Sequence, residues 1–376
     1  MSTTRNAEYT KEYNQKMFLK LLRNNALSRA DIARRTGLTR ASATLIADEL
    51  LNKGWIIENP ESPLVKSGRP PITLSIAKNA CYALGVYLNR DGCSAGIVSL
   101  NGDIICKARF RLEDENKITT LCQHLSKLID TSGVPREKLI GVGISAPGPL
   151  DVEKGKILNP PRFSLWHNTD IGSEVAEALH LPTYVENNAS SLARYNLGKP
   201  EAHGSENFLL LLVDSGIGSG LILNGKLFYG AGLFTGELGH TSIRFDGKPC
   251  ACGNLGCLEA YAAMPNLLAN TRFPSWENVV NERLIATDAN DKFEEEVEYL
   301  TVGIVNLSNL LGIDTILLAG DLRYEGSVIA SRLEETVNSR IIRQNHQPLH
   351  IFPAHSDANI KSLASADIVF DKFLTV

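Results

Sequence analysis

Hydrophobic positions in the first 80 residues recur first at helical and then at strand spacing. Residues 13–25 carry Met17, Leu21 and Leu22 on one side with Phe18 flanking them, which predicts a helix ending at Asn24-Asn25. Ser28 stands three residues before Asp31, a polar N-cap signal for a helix over 29–36 that Gly37 ends. Thr39 caps a third helix over 40–53, with Ala43, Ile46, Ala47, Leu50 and Leu51 on its apolar stripe and Gly54 closing it. Two short strands follow, around residues 55–58 and 72–74, joined by a polar turn over 59–66 and by Ser67-Gly68-Arg69-Pro70-Pro71. From Ala83 the period changes again. Apolar stretches at 84–88, 94–100 and 103–111, separated by Asp91-Gly92 and Asn101-Gly102, predict three antiparallel strands. A helix near 118–132, a strand at 139–145, the loop Ala146-Pro147-Gly148-Pro149, a helix over 172–179 and a strand at 183–186 come next. A second set opens with strands at 208–213 and 220–223 and ends in helices, so two α/β halves with mixed sheets are expected around a cleft.

Composition narrows the class. With 376 residues, 43% hydrophobic and 21% charged, the chain is too long for one small core and too apolar for disorder. Its longest apolar runs, at 208–213 and 316–319, fall far short of the roughly 20 residues of a membrane span. Residues 1–11 carry no apolar export signal, so a cytoplasmic address is expected, with seven cysteines reduced or metal-bound.

The net charge of -4 conceals an asymmetry. Residues 1–80 hold 13 Lys/Arg against 7 Asp/Glu, while the other 296 hold 25 against 35. A head of net +6 on a body of net -10 points to a polyanion partner for the head alone. Helix, turn, helix and hairpin in that order make a winged helix-turn-helix. Its second helix would place Thr39, Arg40, Ser42 and Thr44 against the bases of double-stranded DNA, with Arg34 and Arg35 on the backbone. Arg69, held extended by Gly and Pro, suits a narrow minor groove.

In the body, Cys250-x-Cys252-x4-Cys257 with His240 ten residues upstream suits a four-coordinate Cys3His zinc site, structural because all four places are filled. The remaining cysteines, Cys81, Cys93, Cys106 and Cys122, lie singly in strand or helix patterns and read as apolar fillers.

The stretch Gly236-Glu-Leu-Gly-His240 followed by Cys250-x-Cys-Gly-x-x-Gly-Cys257-x-Glu259 resembles the signature of the ROK family, bacterial sugar kinases and sugar-responsive repressors on the actin-like ATPase fold. Ile144-Ser-Ala-Pro-Gly-Pro and the hairpin Asp214-Ser-Gly-Ile-Gly-Ser-Gly220 are similar to it as well. The head resembles that of the repressor branch, which includes the xylose and N-acetylglucosamine repressors. The resemblance implies a winged head over 1–80 and a first lobe over 81–190 completed by 361–376. A second lobe over 191–360 would carry the zinc loop and the sugar site. It implies sugar contacts by Asn187, Asn188, Glu237, His240 and Glu259, with His240 also on the zinc.

Family kinases place an Asp after Glu-Asn, where this chain reads Glu186-Asn187-Asn188. A neutral amide cannot take a hydroxyl proton, and loss of a general base costs about 10²- to 10⁴-fold in rate. The kinases' Asp-x-Gly-x-Thr phosphate hairpin is replaced by Tyr87-Leu-Asn-Arg90-Asp-Gly-Cys93, and only Gly320 marks their adenosine loop. The expectation is a non-catalytic sugar sensor that binds operator DNA as a homodimer or dimer of dimers and represses. The alternatives are a kinase with a DNA-binding head and a zinc-sensing regulator.

Overall fold

The computed structural model describes residues 7–375 except 24, 60–71, 91, 113–115, 231–235 and 343–346. Arg69, with most of the connection between the two short strands of the head, therefore lies outside the described residues, as do Asn24 and Asp91 of the predicted stop and turn.

The head consists of helices α1 (Ala7–Leu22), α2 (Arg29–Thr36) and α3 (Arg40–Asn52) and strands β1 (Leu27–Ser28), β2 (Ile56–Asn59) and β3 (Thr73–Ile76). Ser28 caps α2 through a reciprocal box with Asp31, and Gly37 ends it at φ 71°. Thr39 accepts from the Ser42 amide to start α3. Helix α1 begins six residues before the expected position, in a polar stretch that shows no period. The two-residue β1, too short to leave a pattern, joins the hairpin as a third antiparallel strand in the order β1-β3-β2.

The first lobe is built on β4 (Tyr82–Asn89), β5 (Gly92–Ser99), β6 (Ile104–Phe110), β7 (Leu139–Ala146) and, beyond the small ribbon of β8 (Leu150–Asp151) and β9 (Lys156–Ile157), β10 (Thr183–Asn187). They form one sheet in the order β10-β7-β4-β5-β6, antiparallel among β4, β5 and β6 and parallel elsewhere. Helices α4 (Lys117–Thr131) and α5 (Ile171–Leu179) pack on one face of it.

Helix α6 (Asn188–Asn196) leads into the second lobe, whose strands β11 (Phe208–Val213), β12 (Ile217–Leu223), β13 (Lys226–Leu227), β14 (Thr315–Gly320) and β15 (His350–Pro353) are ordered β13-β12-β11-β14-β15. Short helices α7 (Glu259–Ala262), α8 (Met264–Leu267) and α9 (Trp276–Glu282), with the longer α10 (Thr287–Leu311) and α11 (Gly326–Asn338), surround the core of that lobe. The chain then returns as α12 (Ile360–Leu374), which lies on β4, β5 and β7 and against α6. Glycines make that approach possible. A Cβ on Gly85 would sit 2.1 Å from the Ser362 carbonyl, and one on Gly143 would sit 1.9 Å from that of Ser365. The polar sequence of α6 carries no helical period, yet Ser190, Ser191 and Asn196 are buried where the helix packs against α12 and β12.

Candidate functional site

The cleft opens where the two sheets meet. Asn89 and Arg90 from the β4–β5 turn, Pro147 and Gly148, the start of α6, the β11–β12 turn, and Gly236, Glu237, His240 and Glu259 line it together. All five residues expected to contact sugar, Asn187, Asn188, Glu237, His240 and Glu259, are among them.

Each presents different chemistry. Asn187 caps α6, its Oδ1 accepting from Ala189 at 2.8 Å and Ser190 at 3.3 Å, which leaves its amide nitrogen for the cleft. That nitrogen and Glu237 Oε1 converge on Gly148, where an added Cβ would lie 2.9 and 2.8 Å from them. Burial pushes the Glu237 carboxyl up; Glu259 adds to the effect and His240 opposes it. Asn188 is 8% exposed, donates to the Leu88 carbonyl at 3.0 Å, and leaves Oδ1 buried without a partner among the described residues. An aspartate there would set a carboxylate against that carbonyl. The amide is therefore the species this backbone accommodates.

At the opposite end of the cleft, two backbone donors are already engaged. In the glycine hairpin, Gly216 N–H donates to Asp214 Oδ1 at 3.3 Å and Ile217 N–H to Glu259 Oε2 at 2.9 Å. Glu259 thus braces the hairpin as well as lining the cleft. Arg90 reaches across from the β4–β5 turn and donates to the carbonyls of Ser215 and Pro161, with its guanidinium 3.7 Å from Glu259. No pattern in the sequence marked Arg90 as functional; its bulk where a backbone would approach a phosphate was the only trace.

The metal candidates also come together. Ligand atoms of His240, Cys250, Cys252 and Cys257 all lie within 4.8 Å of one another. Cys252 and Cys257 sulfurs are 3.7 Å apart, and Cys250 Sγ is 3.6 Å from His240 Nδ1. A tetrahedral zinc with Zn–S near 2.3 Å and Zn–N near 2.0–2.1 Å requires about 3.8 Å and 3.6 Å, so the donor set fits. Gly253 and Gly256, at φ 93° and 68°, turn the loop as their spacing implied. Of the other cysteines, Cys81 and Cys93 are buried, and burial pushes the Cys81 thiol up to about 12; Cys106 and Cys122 are half-buried.

On the head, Arg40 and Thr44 are exposed at the start of α3, beside Leu45 at 67% exposure. Thr39 and Ser42 hydroxyls bond each other at 2.8 Å within the cap, and Thr44 bonds back to the Arg40 carbonyl. Arg34 pairs with Asp31 at 3.0 Å, and Arg35 is exposed.

Residues 83–371 match the ROK family. The chain belongs to the ROK family. It is 27% identical over 375 residues to the xylose repressor of Bacillus subtilis, covering 97% of each chain. It is 25% identical to the Escherichia coli DNA-binding transcriptional dual regulator NagC, over 90% of this chain and 87% of that one. Among solved structures, a ROK family transcriptional regulator described as a homologue of the E. coli MLC protein matches at TM-score 0.81 and 23% identity over 97% of both chains. The ROK hexokinase of Thermus thermophilus matches at 0.63 and 24% identity, covering 96% of its own chain but 76% of this one. The mixed α/β, ROK sugar-kinase-like fold follows from these matches.

Proposed function

We propose that this ROK protein is a sugar-responsive transcriptional repressor, which reads operator DNA through its head and senses a monosaccharide or derivative in its cleft without phosphorylating it. The observation that carries the reading is the unequal state of that cleft. The sugar half keeps the Asn187 amide, the Glu237 carboxylate and the orphaned Asn188 Oδ1 for a polyol, while hairpin donors in the phosphate half are already engaged. Regulator-named relatives matched over most of their length, head included, support the same reading.

In it, the head is a winged helix-turn-helix. Arg40 and Thr44 meet base edges, Thr39 and Ser42 shape the start of the reading helix, and Arg34, Arg35 and Arg69 add backbone and minor-groove contacts. Two heads in a homodimer, or four in a dimer of dimers, would span half-sites about 34–36 Å apart. His240, Cys250, Cys252 and Cys257 would hold Zn2+, which when bound serves as a structural cross-link. His240 Nδ1 faces the thiolates, so Nε2 is the ring nitrogen left for a sugar hydroxyl. Because these four side chains complete the coordination, the ion is a fixture and not the signal. The reading places the protein with its operator in the cytoplasm, and no helix among the described residues is long and apolar enough to cross a membrane.

Closing the lobes on a sugar shifts the heads only as far as the sugar binds the closed state more tightly than the open one. Thermal shift over a panel of pentoses, hexoses, N-acetylhexosamines and their phosphates tests the sensor. A stabilising ligand that also lowers affinity for an operator selected from random duplexes supports it; a panel with no stabilising member contradicts it.

A further inference from the structure

The head does not sit on a loose tether. Phe18, Leu22 and Leu50 share one continuous core with Val369, Phe370 and Leu374 of α12. Arg23, just after α1, pairs with Asp367 of α12 at 2.6 Å and lies over the Phe370 ring at 4.9 Å. Trp55 stacks on Phe373 with ring centroids 5.4 Å apart. Turning the head relative to α12 would expose that apolar surface and separate a largely buried ion pair, so head and α12 move as one body.

Helix α12 in turn meets α6, whose first turn forms part of the sugar site. A polar cluster joins them. Arg194 of α6 contacts Glu186 Oε2 at 3.0 Å and Asp371 of α12 at 3.5 Å. The Tyr229 hydroxyl donates to the same Glu186 oxygen at 2.5 Å, and the other oxygen accepts from the Asn187 backbone N–H at 2.9 Å. Tyr229 lies in the segment between β13 and Glu237, and Glu186 directly precedes Asn187. Through Glu186 the cluster therefore adjoins Asn187, one of the ligand groups of the cleft. Asp371 and Asp367 stand one helical turn apart on α12, so the cluster at one end of this surface leads to Arg23 of the head at the other.

We infer that Tyr229, Glu186, Arg194 and Asp371, continued along α12 to the Asp367–Arg23 pair, form the relay by which an occupied sugar site alters the head. The relay rests on the sugar-responsive reading above and specifies how that response travels. Glu186 and the Arg194 side chain are 2% and 10% exposed, so neither charge can be left alone when the adjoining Asn187 shifts; the partners must follow. The Arg194 Nε is buried without a partner among the described residues, which leaves a donor to exchange between two arrangements of the cluster. Tyr229, Arg194 and Arg23 are positioning residues, since none of them lines the cleft.

The test uses the full chain, with D-xylose and N-acetylglucosamine as probes, chosen because relatives are named for those sugars. The DNA is an operator selected with the wild-type protein. Sugar affinity is read by calorimetry, and DNA affinity by fluorescence anisotropy with and without saturating sugar. For wild type, an allosteric loss of DNA affinity of about 5- to 150-fold is expected. Tyr229→Phe and Asp371→Asn should each keep both affinities within about threefold while the sugar-induced loss shrinks to about twofold or less. Asp367→Asn, at the far end, should do the same, which guards against one variant failing to fold. Variants that bind both ligands and still lose DNA affinity as wild type does overturn the relay and leave the sensor reading standing. A wild type indifferent to both sugars removes the sensor reading for those sugars, and the relay with it.

Discussion

The two halves of the cleft share one fold and one set of connecting loops but differ in how fully their polar groups are engaged. In the half that would face a sugar, burial pushes the Glu237 carboxyl up, and Asn188 Oδ1 is buried and unpaired among the described residues. In the half where a nucleotide's phosphates would have to sit, Gly216 and Ile217 give their N–H groups to Asp214 and Glu259, and Arg90 seals the rim. A binding site requires buried polar groups that a ligand can satisfy; the two hairpin N–H groups that are already paired are not free for a phosphate. On the proposed reading, this difference is what would separate a sensor from an enzyme on one scaffold, where fold similarity does not, because kinases and regulators both match this chain.

The most severe way to disturb the contrast is to remove what holds the sugar half in place. Structural zinc sites supply about 10–16 kcal/mol in isolated fingers, so Cys257→Ser should lower the melting temperature by about 10 °C or more and abolish sugar binding. Elemental analysis should find one zinc per wild-type chain and none in the variant; full sugar affinity without metal would sever the link between the zinc loop and the site.

Next in size, Glu237→Gln removes a half-buried charged acceptor worth about 1.5–3 kcal/mol, weakening sugar binding by about 10- to 150-fold while DNA affinity holds. Because burial raises the Glu237 carboxyl, wild-type sugar affinity should fall on acidification at a pH above the ordinary carboxylate range. The glutamine variant, with nothing to protonate there, should lose that component in calorimetric titrations across pH.

Asn188→Asp asks whether the missing base alone separates this chain from a kinase. The new carboxylate would face the Leu88 carbonyl, costing about 1–3 kcal/mol of stability by denaturant titration, and coupled assays should detect no ADP formation with any sugar of the panel. Turnover in that variant would erase the distinction between the two halves.

The smallest effect belongs to the head. Arg35→Ala should weaken DNA binding evenly across sequences and reduce the slope of log affinity against log salt by about 1, as for one lost phosphate contact. A sequence-dependent loss would move Arg35 from backbone to base recognition.

Much of this organisation was legible in the sequence because it rests on local signals. Ser28, Thr39 and Gly37 bound the head helices where their capping chemistry requires, and Cys250, Cys252, Cys257 and His240 meet as their spacing implies. What stayed hidden depends on contacts between distant segments. Arg90 meets Ser215 across 125 residues, and the buried polar face of α6 makes sense only once α12 covers it from the far end of the chain. The self-satisfied hairpin is a case of the same kind. Its glycines match a phosphate-binding pattern, yet the Gly216 N–H is taken locally by Asp214 and the Ile217 N–H by the Glu259 carboxylate, 42 residues away.

The central claim, that this cleft senses sugar without consuming nucleotide, is tested most directly by titrating the sugar found by thermal shift into the operator complex, with and without ATP and magnesium, while following anisotropy and ADP together. The account predicts release of DNA by sugar alone, an unchanged titration curve with ATP, and no ADP above background. Release that requires ATP, or ADP formed in step with it, would contradict it.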